Sequence, residues 1–131
     1  MNTSMDPRLS VRQINKKGRG VFAEIPFSKG DLVEACPIIF INSKERLKCE
    51  KTILEYYLYP WKSTRTGAMV LGYGSLYNHS FSPNAGWKPN LKTMCMDYRA
   101  VKDIKKNEEI TVNYNGEPDD KAPIDWFDVK E

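Results

Sequence analysis

Apolar residues occur along the chain in short alternating bursts separated by turn-forming clusters, and one stretch carries a helical spacing. Ser10-Val11-Arg12-Gln13-Ile14 alternates imperfectly, and a turn rich in lysine and glycine follows from Asn15 to Gly20. Val21-Phe22-Ala23 starts a second strand, which Pro26 and Ser28-Lys29-Gly30-Asp31 terminate. Leu32–Ala35 and Ile38–Ile41 are apolar and β-branched on either side of Pro37, which predicts two strands meeting at a bend. Met94, Met96, Tyr98 and Ala100 alternate with Cys95, Asp97 and Arg99, the pattern of a half-buried strand. Asp103–Glu108 reads as a charged turn and Glu109–Val112 as the last strand.

The helical spacing lies in the middle. Thr52-Ile53-Leu54-Glu55 has the form of a capping box, in which hydroxyl and carboxylate each satisfy a free backbone N–H. Ile53, Leu54, Tyr57 and Leu58 then share one helical face, and Pro60 ends it. Residues 43–51 read as a preceding helical turn or a loop. The pattern predicts a mainly β (α+β) domain with many short strands, one or two short helices and long connections.

Composition narrows this to one ordinary globular domain. The chain has 131 residues, 40% of them hydrophobic and 28% charged, which excludes collagenous or wholly disordered classes. Its longest apolar runs are broken by Pro37 and by Gly72 and Gly74, well short of the ~20 residues a membrane helix needs. The start MNTSMDPRLS lacks the basic-then-apolar form of a secretory signal. Cys36, Cys49 and Cys95 are odd in number and form no CxxC pair, so neither a disulfide framework nor a zinc site is expected, and free thiols fit an intracellular location. Residues 117–131 carry net charge −4 and the first 116 carry +7. No dense basic stripe with interleaved aromatics is present, so nucleic acid is not the expected partner.

Four segments carry chemistry. Lys17-Gly18-Arg19-Gly20-Val21-Phe22-Ala23 has two glycines that let a ligand approach backbone N–H groups, although alone it reads as a hairpin. Gly30-Asp31-Leu32-Val33-Glu34 alone is a turn and a strand. Tyr77-Asn78-His79-Ser80-Phe81-Ser82-Pro83-Asn84-Ala85 says turn first, and His79 is the sole histidine. Without a second histidine or a nucleophile elbow, a Ser-His-Asp or Cys-His hydrolase is rejected, and metal ligation lacks partners. Asn107-Glu108-Glu109-Ile110-Thr111-Val112-Asn113-Tyr114 alone is a charged turn and a strand ending in tyrosine.

In order and spacing, GRGVFA, KGDLVEACP, NHSFSPNA and NEEITVNY resemble the SET domain of protein lysine methyltransferases. The resemblance runs from about Leu9 to Gly116, with residues 1–8 as a flexible N-terminus and 117–131 as an acidic segment that closes the active site. It is similar to the minimal single-domain SET proteins of viruses and bacteria, and the cysteine-rich zinc-binding flanks of other members are missing. The resemblance implies a SET-domain fold of several small sheets with a C-terminal knot-like threading (β-clip type). It also implies S-adenosylmethionine bound on one face, with S-adenosylhomocysteine as product, and a lysine channel opening on the other. Tyr114 matches the catalytic tyrosine. Asn78 and His79 match residues that hold the cofactor's amino and adenine ends, partly through backbone groups. Lys17, Gly18, Arg19 and Gly20 match the loop around its methionine moiety. Tyr57 either lines the site, as in related members, or packs its helix. Trp87 falls where some members place an aromatic that limits the number of methyls. Trp126, with Phe127, falls where a tail stacks on adenine or docks without touching it.

The implied reaction needs a neutral amine. Free lysine titrates near ~10.4, so neutralising it at pH 7 costs roughly 4–5 kcal/mol. An apolar channel and a nearby sulfonium both disfavour the ammonium, and alignment supplies much of the rest. The implied substrate is a basic, lysine-containing protein segment, such as a histone tail, attracted by the acidic C-terminal segment. A SET fold without catalysis, binding a protein or nucleic acid, is the alternative. Methylation of something other than lysine is a third reading.

Overall fold

The computed structural model describes residues 6–15 and 18–121 of the chain. Two curled sheets account for nearly all regular structure. The first contains β1 (Leu9–Ile14), β2 (Gly18–Ala23), β6 (Asn78–His79) and β9 (Glu109–Val112), in the order β1-β2-β9-β6. The second contains β3 (Leu32–Ile41), β4 (Tyr59–Trp61), β5 (Ser63–Val70), β7 (Ala85–Asn90) and β8 (Cys95–Ala100), in the order β4-β5-β3-β8-β7. The mainly β domain expected from the pattern is what forms.

Alternation placed the core strands, except that Met94, expected on the buried face, is exposed in the turn before β8 with φ +55°. Met96, Tyr98 and Ala100 of β8 are buried while Arg99 faces water, and Ile110 and Val112 of β9 are buried likewise. They pack with Val21, Ala23, Val33, Ala68 and Val70 into one core. Burying each such aliphatic side chain contributes about 1.5–3 kcal/mol. β9 lies inside the first sheet, antiparallel to β2 and parallel to β6. Its continuation packs back across the molecule. The Asn113 side chain donates to the carbonyls of Pro118 and Asp120, and Lys121 donates to the carbonyl of Phe81.

Three expectations fail locally. Leu32–Ile41 is one strand, not two meeting at a bend. Pro37 sits where β3 changes neighbours: residues up to Pro37 pair with β8, and Ile38–Ile41 pair with β5. The missing proline N–H falls at that handover, where a continuous ladder is not required. The helix expected after Thr52 is only a 3₁₀ turn, Ile53–Tyr56. Thr52 does cap it, accepting from the Leu54 N–H, but β4 begins at Tyr59 and leaves no room for an α-helix. The capping box lies ten residues earlier. The Asn42 side chain accepts from the Glu45 N–H at 2.9 Å, and the Glu45 carboxylate accepts from the Asn42 N–H at 3.1 Å, opening α1 (Ser43–Cys49). Strands β4, β5, β6 and β7 had no clear alternation and were not anticipated.

Candidate active site

Three chain segments converge on Tyr114. The NHSFSPN and NEEITVN segments are bolted together by Asn84, which is 4% exposed. Its side-chain N–H₂ donates to the Glu109 carbonyl and to the Glu108 carboxylate, and its side-chain oxygen accepts from the Thr111 N–H at 2.9 Å. Asparagine alone among small side chains offers two donors and an acceptor on one planar group. Asn78 makes the second junction, donating to the Arg19 carbonyl at 2.9 Å and to Glu109 Oε2 at 2.8 Å. The Gly18–Gly20 strand thereby lies directly against Asn78.

Geometry favours both glycines of this strand. Gly18 has φ +77°, a left-handed conformation that glycine adopts without strain. A Cβ on Gly20 would lie 2.6 Å from both Glu109 Oε2 and Ile14 Cδ1 and 3.0 Å from Asn78 Nδ2, so those side-chain ends would have to shift. Arg19, between them, is exposed and forms no ion pair among the described residues. The turn expected over Asn15–Gly20 is shorter than read: Gly18–Gly20 already belong to β2 and pair with Arg12–Ile14 of β1. Lys17 lies outside the described residues.

His79 is buried with its imidazole turned inward. Its Nδ1 accepts the Tyr114 N–H at 3.0 Å, which places the ring proton on Nε2. The ring also meets Phe81 edge-on at 4.4 Å and lies 5.1 Å from the Tyr114 ring. The side chain is thus engaged with the protein through Tyr114 and Phe81. Two residues earlier, the Tyr77 carbonyl accepts the Tyr114 hydroxyl at 2.8 Å. Tyr114 is therefore gripped at both ends, main chain and phenol, by the 77–79 segment.

The Tyr114 ring faces a cavity of about 360 Å³, whose walls include Tyr57, Tyr59, Tyr77 and Trp87. Arg46, Glu55 and Ser75 are the polar side chains at its edge, beside Tyr56. Tyr57, Trp87 and Tyr114, named from the sequence, line this one space. Trp87 is fixed by donating its indole N–H to the Asn113 carbonyl at 3.1 Å, and Tyr59 meets its ring edge-on at 4.9 Å. Tyr59 and Tyr98 both donate to the carbonyl of Gly74. A Cβ on Gly74 would lie 2.1 Å from Val70 Cγ1 and 3.0 Å from the Tyr98 hydroxyl, so the close approach of β5 together with this phenol accounts for that glycine. Trp126 lies outside the described residues.

The electrostatics of the cavity follow from burial. Desolvation pushes the Tyr114 phenol up to about 12, with the phenol of Tyr57 and the carboxylate of Glu109 adding to it. Tyr59, Tyr77 and Tyr98 are raised by the same cause. The phenols of Tyr59, Tyr77, Tyr98 and Tyr114 therefore stay neutral and act as hydrogen-bond donors near neutral pH. Tyr59 and Tyr77 carry no sequence signal of a site role, since a tyrosine beside Pro60 or before Asn78 reads equally as core.

The comparisons agree with this geometry. The family profile described as SET domain matches residues 18–115. The chain is 34% identical over 107 residues to the histone-lysine N-methyltransferase, H3 lysine-37 specific, of Schizosaccharomyces pombe, covering 81% of this chain and 72% of that protein. A crystal structure of a candidate histone methyltransferase from Plasmodium falciparum superposes with TM-score 0.66 at 30% identity, covering 84% of this chain and 95% of that one. The Neurospora SET domain protein DIM-5, a histone lysine methyltransferase, matches in fold with TM-score 0.65 at 20% identity, over 81% of this chain and 51% of that one. With its motif junctions, its phenol-lined cavity and its matched span all coinciding, the chain belongs to the SET domain family.

Proposed function

We infer that this SET domain works as a protein-lysine N-methyltransferase, with Tyr114 as the catalytic residue at the end of an aromatic lysine channel. The observation that carries this reading is the double grip on Tyr114, N–H to His79 and hydroxyl to the Tyr77 carbonyl, at the wall of the cavity. A lysine side chain entering between Tyr57, Tyr59, Trp87 and Tyr114 meets neutral rings. Such surroundings disfavour its ammonium form and release the amine lone pair. The rings also hold the amine in line, which removes orientation entropy from the barrier. Tyr114, its phenol pushed up to about 12 by burial, is protonated near neutral pH and orients the amine through its hydroxyl.

The residues opposite the cavity fit an S-adenosylmethionine of the family type. The bare Gly18–Gly20 backbone, the exposed Arg19 and the Asn78 side chain suit the carboxylate and amino groups of an amino acid. When bound, that cofactor supplies a methyl group on an electron-poor sulfonium. Asn78 and the backbone of His79 would hold its amino and adenine ends, and Lys17 and Trp126 would complete the enclosure. The substrate class is a basic protein segment of histone-tail type, drawn in by the acidic run from Glu117, and the setting is intracellular. Residues 9–116 form the catalytic unit. A catalytically silent SET module is not favoured, because the tyrosine grip and the cavity are both intact.

The test is calorimetric titration of S-adenosylmethionine, followed by radiolabelled methyl transfer to core histones and hydrolysis to amino acids. Binding together with labelled methyl-lysine is expected. Binding without transfer to any protein would leave only the module.

A further inference from the structure

Beneath the site lies a buried carboxyl group with no ion pair among the described residues. Glu34, on β3, is 8% exposed. Its Oε1 accepts the Tyr77 hydroxyl at 2.7 Å and its Oε2 accepts the Tyr73 N–H at 3.0 Å. Leaving such a group buried is costly unless it is fully hydrogen-bonded, so this pair is a built feature rather than a surface accident. The fold makes room for it. Gly72 has φ +64°, and a Cβ there would lie 2.5 Å from Glu34 Oε2.

The recipient of this bond is the residue whose main chain holds the catalytic phenol. Tyr77 is 1% exposed, its ring rests on Tyr98 at 4.6 Å, and its hydroxyl is tied to Glu34. Its carbonyl, on the same residue, accepts the Tyr114 hydroxyl. The ring of Tyr77 thus works as a stake driven into the core, with its far end fastened by Glu34 and its near end presenting the carbonyl. We propose that Glu34 is a positioning residue for methyl transfer: by fastening the Tyr77 hydroxyl it fixes the Tyr77 carbonyl that aims the Tyr114 phenol into the channel. The proposal rests on the assignment of Tyr114 to the methyl-transfer site. It extends the active site across to β3 of the second sheet, into the KGDLVE segment.

The test uses Tyr77→Phe and Glu34→Ala, each alone and combined with Tyr114→Phe, with cofactor affinity measured by calorimetry and steady-state rates on core histones. Tyr77→Phe keeps the ring and its contact with Tyr98, so it carries the test if Glu34→Ala does not fold. Each single variant is expected to lower kcat about 10-fold, the scale of one lost hydrogen bond. Cofactor affinity should stay within about twofold, because the hydroxyl and carboxylate of this pair bond each other and Tyr73 rather than Gly18–Gly20 or Asn78. In the Tyr114→Phe background neither change should lower kcat further, since the hydroxyl being aimed is gone. A general loosening of the core would instead multiply the two losses. The inference is overturned by a kcat for Tyr77→Phe within twofold of the parent protein, or by losses that multiply with Tyr114→Phe. Tyr114→Phe with normal turnover, or a parent protein that transfers nothing, overturns the methyltransferase reading along with it.

Discussion

The two sides of Tyr114 are built by different means. On the side of the first sheet, Asn78, Asn84 and His79 make directional bonds to backbone groups of distant segments. On the cavity side, Tyr59 meets Trp87 and Tyr77 meets Tyr98 ring to ring, and Tyr59 and Tyr98 share the Gly74 carbonyl. The first arrangement decides where Tyr114 stands. The second decides the medium in which it works. Directional bonds tolerate almost no substitution, because a buried amide has few equivalents. The ring wall tolerates exchange where only volume and neutrality matter, as at Trp87, but not where a hydroxyl is tied down, as at Tyr77.

That contrast can be broken at its polar end first. Asn84→Ala removes three buried hydrogen bonds and should cost about 3 kcal/mol at roughly 1 kcal/mol per bond, read as a lower denaturation midpoint with loss of activity. A midpoint unchanged within error would remove Asn84 as the bolt. Gly20→Ala drives a Cβ toward Glu109 and Asn78 and should cost about 1–3 kcal/mol of stability. The accompanying weakening of cofactor binding, measured by calorimetry, sharpens the link between that strand and the ligand.

The ring wall answers more gently. Trp87→Phe should leave the fold intact and enlarge the space beside Tyr114, shifting products toward higher methylation states by mass spectrometry. An unchanged product ratio would take Trp87 out of the multiplicity role. pH offers a further probe. The Tyr114 pKa is raised in the folded state relative to the unfolded chain. Its contribution to stability is therefore fully present below about pH 10 and is lost as pH climbs through about 12. Single-turnover rates should accordingly rise with pH as lysine loses its proton, with no falling limb from Tyr114 below about pH 11. A fall centred near pH 8 would require a phenol far more acidic than burial permits. The smallest effect is expected at the acidic segment, where Asp119→Asn with Asp120→Asn should weaken basic-peptide binding a few-fold at low salt and less at high salt.

How much was legible follows the same division. Asn78, His79 and Tyr114 were named through the motif resemblance, whereas Asn84 stood only as a letter of NHSFSPNA and its bonds to residues 108–111 had no local signal. The core strands β8 and β9 could be read because one face is buried and the other wet. The wall could not. Tyr59 lies on β4, a three-residue strand, and Tyr77 sits ahead of β6, a two-residue strand, both too short to show a period. Helix α1 buries none of its residues, so it has no apolar stripe to announce it, and its Asn42 cap is the only local signal. Ile53, Leu54 and Tyr57 do have helical spacing but are exposed, and the nearby strand confines them to a single 3₁₀ turn. Glu34 was visible only as part of a turn and strand, because its role depends on a tyrosine 43 residues away.

The most direct test of the account is Tyr114→Phe, assayed for cofactor affinity and for single-turnover methyl transfer in the same preparation. Cofactor binding should match the parent protein while the rate falls roughly 100-fold, the scale expected when a reacting group loses its alignment. A rate within a few-fold of the parent protein would contradict the claim that this phenol, gripped between His79 and Tyr77, aligns the reaction.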